Sequence, residues 1–78
     1  MTTEFQRQTI ASMSDAQVIV DYVSCCENYR TAFGKSEREY WDAARRLVWA
    51  ELGFRGLRER GTEALQAERQ KSTGTQQQ

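Results

Sequence analysis

Between residues 45 and 60 the chain sets five arginines, Arg45, Arg46, Arg55, Arg58 and Arg60, around Trp49 and Phe54. Guanidinium groups beside large aromatic rings can do two kinds of work. They can neutralise the phosphates of a nucleic-acid backbone, with the steep salt dependence that counterion release imposes. They can also anchor a protein interface, where Trp and Arg supply a disproportionate share of the binding energy. Only Glu51 and Glu59 oppose the five arginines within this stretch, so it carries three excess positive charges.

Other chemistry has little support. The chain has no histidine, so the commonest general base and metal ligand is missing. No Ser or Cys has a base beside it in a local motif, and neither GxxxxGK nor GxGxxG occurs. Cys25 and Cys26 are adjacent and stand about 100° apart on a helix, badly placed to bridge each other. Two cysteines with no other Cys or His do not make a zinc site. They are expected to pack as small apolar side chains in a reducing compartment. No catalysis, cofactor or metal is therefore expected, and the location expected is cytoplasmic.

The glycines within 52–61 offer one more reading. Gly53-Phe54-Arg55-Gly56 resembles the GXXG loop of KH domains, which clamps a nucleic-acid backbone. A KH domain also needs a three-stranded sheet, and no segment here reads as a strand. The simpler expectation is that Gly53 stops a helix, and that Gly56 and Gly61 serve turns or close packing.

Helices must position all of these residues. Ser14-Asp15-Ala16-Gln17 is a capping box, with Met13 and Val18 at the staple positions. Val18, Tyr22, Cys25, Cys26, Tyr29 and Phe33 then recur at helical spacing, and Gly34 is expected to provide a left-handed stop. This predicts a first helix over 14–33. Its apolar arc spans about 180°, enough to meet two neighbours. Ser36-Glu37-Arg38-Glu39 is a second box. It opens a helix over 36–52 that carries Tyr40, Trp41, Ala44, Leu47, Val48 and Leu52, with Gly53 as its stop and Phe54 as the closing apolar contact. The short connection makes the pair antiparallel. Leu57, Ala64, Leu65 and Ala67 suggest a third helix over 56–70, beginning at Gly56 or re-capped at Thr62. There is room for a short N-terminal helix near 3–11.

On the second helix Trp49 lies about 180° round from Tyr40, away from the apolar face and between Arg45 and Arg46. Either a partner covers it, or Phe54 or the third helix does. Glu51 falls within the apolar face, where it is expected either to pair with Arg55, one turn on, or to point across an interface to an arginine.

The fold class expected is all-α: an antiparallel hairpin plus a third C-terminal helix. Residues 1–13 form an N-terminal segment, 14–70 one small domain, and 71–78, without large apolar residues, a disordered polar tail. A core built from roughly 60 residues is marginal alone, so self-association, most simply a dimer, is expected. Net charge is zero, but residues 1–29 carry −3 and residues 30–78 carry +3. No basic stretch leads into an apolar run, and the longest aliphatic run is three residues, so neither leader nor membrane span is expected.

The function expected is non-enzymatic: binding a macromolecule, most often a protein, and regulating or inhibiting it. That is the character of a phage or plasmid accessory protein acting on a host or defence complex. The partner-binding residues expected are Trp49, Arg45, Arg46, Phe54, Arg55, Arg58 and Arg60. The alternative is a nucleic-acid-binding regulator that uses Arg45, Arg46, Arg55, Arg58 and Arg60.

Overall fold

The structure is a computed structural model that describes the backbone of residues 8–76 and the side chains of residues 8–71. Residues 1–7 and 77–78, including much of the expected N-terminal segment and the end of the expected tail, lie outside the described residues. A helical turn at 8–11 leads into three helices: α1 (Asp15–Thr31), α2 (Lys35–Arg55) and α3 (Arg58–Gln76). No strand occurs among the described residues. The all-α hairpin with a further C-terminal helix is the observed architecture. Among the described residues no helix is long and apolar enough to cross a membrane.

α1 begins as its capping box dictates. Ser14 is extended, and its Oγ accepts from the Gln17 N–H at 3.1 Å. The reciprocal half is absent, because the Gln17 amide donates to Asp21 Oδ1 at 3.2 Å instead. The exit differs from the left-handed stop expected at Gly34. Ala32 is extended, with its N–H on the Tyr29 carbonyl, and Gly34 caps the next helix at φ 82°, ψ 158°. That backbone region is open to glycine and costly for other residues. It lets the chain reverse without a longer loop. Ser36 consequently lies inside α2, which has no side-chain cap, and Glu37 instead reaches back over the turn, its carboxylate accepting the Phe33 N–H at 3.1 Å.

The end of α2 also corrects the expectation. Gly53 is helical, and the stop is Gly56 at φ 73°, ψ 31°. Its N–H donates to the Gly53 carbonyl at 3.2 Å, and the Leu57 N–H donates to the Leu52 carbonyl at 2.7 Å. This is the paired closure of a Schellman motif, whose apolar contact falls on the residue after the glycine. Leu57 is buried there, whereas Phe54, assigned that contact by sequence, is 88% exposed. Gly53 serves a different end. A Cβ on it would lie 2.5 Å from the Arg58 guanidinium carbon, so its bareness admits the Arg58 side chain.

α3 starts at Arg58 and continues to Gln76, past the expected end at residue 70. No proline interrupts it, and Glu, Gln, Arg and Lys favour helix. α1 is the central element. It packs against both α2 and α3, while those two meet sparingly. The core is Val18, Cys25, Val48, Leu52 and Leu57, with Ile10, Met13, Ile19, Tyr22, Trp41, Ala44 and Trp49 packed round it.

Candidate interaction surfaces

The structure gives the seven expected partner-binding residues different surroundings. Trp49 packs on the core, its ring 5.2 Å from that of Tyr22 and 4.8 Å below the Arg58 guanidinium. Arg58 Nε also donates to the Trp49 carbonyl at 3.2 Å. Of the six residues that the spacing put on one face of α2, Val48 and Leu52 are buried while Tyr40 is exposed and Leu47 half-buried, so the buried face is narrower than expected and Trp49 packs at its edge. Arg55 turns inward. It donates to Glu51 at 2.7 Å, as its spacing predicted, to Asp15 at 2.8 Å, and to the Ile10 and Ala11 carbonyls at 3.2 Å. It therefore ties the helical turn at 8–11 and the start of α1 to the end of α2. Arg46 pairs with Asp42 at 3.2 Å and remains largely exposed. Arg60 and Phe54 face solvent. The structure does not gather these residues into one patch.

Another group of arginines does gather, and sequence reasoning named only Arg45 from it. A cleft of about 340 Å³ between the three helices is lined by Tyr22, Tyr29, Arg30, Arg38, Arg45 and Arg69, among others. The Arg45 and Arg38 guanidinium carbons lie 4.6 and 5.3 Å from the Tyr29 ring centre. Glu27 sits between Arg30, at 2.6 Å, and Arg69, at 3.7 Å. Asp42 lies 2.8 Å from Arg45 Nη2, though unaligned for a hydrogen bond, and Arg45 Nε is buried without an acceptor. Four guanidinium groups thus face two carboxylates. Arg38 makes no ion pair with any described carboxylate. The seven-residue spacings Tyr22–Tyr29 and Arg38–Arg45 were the available signal. The role of Arg30 and Arg69 depends on how α1 and α3 pack.

Burial and ion pairing leave their mark on two groups. Hydrogen bonding from Arg30 is the largest influence on Glu27. It holds the carboxyl below its ordinary range against the opposing effect of burial, with help from Arg69. A lowered carboxyl contributes stability that is present above its unfolded pKa, about 4.3, and is lost as pH falls through the folded value. Urea midpoints between pH 6 and 2 are therefore expected to fall with acid in the wild type, and more gently in Glu27→Gln. Equal slopes would remove Glu27 from the acid response. Burial, then Asp21 and Cys26, push the Cys25 thiol up to about 11. At pH 8 that leaves on the order of 0.1% thiolate, against about a quarter for a free cysteine near 8.5. Alkylation at Cys25, located by mass spectrometry, is expected to run about 100-fold slower in native protein than in urea. Both cysteines are buried and unbridged, as their helical positions implied.

No family model, curated protein or solved structure matches this chain. Its surfaces therefore speak through their chemistry alone. Among the described residues no three Cys, Asp or Glu side chains converge as a metal ion would require.

Proposed function

We propose that this protein is a non-catalytic binding module that docks on an acidic segment of a partner protein and regulates or inhibits it. This is the work of a phage- or plasmid-type accessory factor. The observation that carries the reading is the cleft of Arg30, Arg38, Arg45 and Arg69 around Tyr29. Tyr and Arg dominate interface hot spots. Here two of the arginines already lie against a tyrosine ring, so less side-chain entropy remains to be lost on binding. The excess of two positive charges suits one or two carboxylates. A long polyanion would also meet Glu27 and Asp42. Self-association belongs to the same reading, because the core is small for the length of chain.

The competing reading, a nucleic-acid regulator, draws on Arg45, Arg46, Arg55, Arg58 and Arg60. Arg46, Arg58 and Arg60 are its exposed members, and Arg55 is committed within the fold. A pull-down from lysate of the native host, with and without nuclease, separates the two. A protein is expected to survive nuclease and to be retained at least 10-fold less by Arg38→Ala/Arg69→Ala with unchanged helicity. Retention of nucleic acid alone, or equal retention by the variant, would overturn the proposal.

A further inference from the structure

α2 is apolar on two sides. One side carries Trp41, Val48 and Leu52 into the core. The other carries Tyr40, Ala43, Leu47, Ala50 and Phe54, spaced alternately by three and four residues, with Ser36 four residues earlier. Sustained over two heptads, that spacing is the a/d seam of a coiled coil. Tyr40 is 58% exposed and Phe54 88% exposed. Ala43 and Ala50 are also exposed, and Leu47 is half-buried. Tyr40 and Leu47 border an apolar pocket shared with Ile10 and with Cys25 of α1, while Ala43, Ala50 and Phe54 lie open, and the stripe runs about 21 Å along the helix. It contains no charged residue. Solvated faces of surface helices are normally polar.

The sizes along the stripe say what fits it. The large residues Tyr40, Leu47 and Phe54 hold every a position, and the small residues Ser36, Ala43 and Ala50 hold every d position. A parallel pair of such helices would set a against a and d against d. Aromatic layers would then alternate with alanine layers, which leaves gaps between overfilled levels. An antiparallel pair sets a against d. Each large side chain then meets a small one, and the helices can approach to about 8 Å. A two-fold axis requires a surface complementary to itself, and this stripe has that property in the antiparallel sense only.

We infer that the α2 stripe is a homodimer interface in which α2 packs antiparallel on α2 of a second copy. The inference rests on the self-association in the reading above and adds its surface and direction.

Sedimentation equilibrium of the full chain from 5 to 500 µM tests it. The wild type is expected to be dimeric at the upper end. Ala43→Leu, which thickens a small position without adding charge, is expected to weaken the dimer at least 10-fold. Leu47→Glu is expected to be monomeric throughout, with unchanged circular dichroism. Gln66→Glu, on the exposed side of α3, should behave as wild type. For direction, single cysteines at Lys35 and Glu39 carry nitroxides, and the buried native thiols stay unlabelled. In the antiparallel pair the two label-to-label distances differ by about 12 Å, whereas in a parallel pair they are nearly equal.

A monomer at 500 µM would overturn both the interface and self-association. A dimer that survives Leu47→Glu would place self-association on another face. Equal label distances would overturn the direction.

Discussion

Leu52→Ala is expected to destabilise the protein by about 3–5 kcal/mol, the range for large-to-small changes at enclosed core sites. Leu52 has no exposed surface and belongs to the cluster with Val18, Cys25, Val48 and Leu57. It is also the point where all three helices meet, because its Cδ1 lies against Gly61 of α3 while Val18 of α1 shares its cluster. The surroundings cannot collapse readily into the space left, since the Leu57 N–H is bonded to the Leu52 carbonyl and fixes the turn. A chain of this length has roughly 4–12 kcal/mol of stability in total. The melting temperature should therefore fall by at least about 12 °C at the 4–8 °C per kcal/mol typical of small domains. Urea or thermal unfolding followed by circular dichroism measures this. A loss under 1 kcal/mol would mean that the three helices are not packed as described.

The second large effect lies directly opposite. Gly61 is buried in the first turns of α3, and a Cβ there would stand 2.8 Å from Leu52 Cδ1 and 3.4 Å from Tyr22 Cδ2. Replacing a mid-helix glycine with alanine normally gains about 1 kcal/mol in helix propensity. Gly61→Ala should forfeit that gain to the contact, and Gly61→Leu should cost about 3 kcal/mol through overpacking. The two sites must then couple. In a Leu52→Ala background the space at the joint is free, and Gly61→Ala should become stabilising. The double-mutant cycle should therefore show a favourable interaction of at least about 1 kcal/mol. Additivity within a few tenths of a kcal/mol would separate the two residues.

These residues also show what the sequence could reveal. Ser14 announced α1 because a cap is a local device, readable within four residues. The end of α2 was harder, because Gly53 and Gly56 both qualify as stops by local rules. What decides between them is tertiary: Leu57 has a core to enter, and the Arg58 side chain lies over the bare backbone at Gly53. The breadth expected of the apolar face on α2 has a related cause. Tyr40 and Leu47 are as apolar as Val48 and Leu52, so composition cannot separate a core face from a second, outward one. The pairing of Glu51 with Arg55 was legible from its one-turn spacing. The further reach of Arg55 to Asp15 and the 8–11 turn spans about 40 residues and was not. The arginine–tyrosine cleft was likewise hidden, because Arg30, Arg45 and Arg69 come from three different helices.

The sparse contact between α2 and α3 has a mechanical consequence. Each grips α1, and beyond that they are linked through the Leu52–Gly61 contact, the glycine-closed joint at 56–57 and the Arg58 clasp on Trp49. Arg38 and Arg45 stand on one side of that joint and Arg69 on the other. A ligand seated across them would act as a splint, and its arrival should be read as slowed hydrogen exchange in the turn of α3 that carries Arg69.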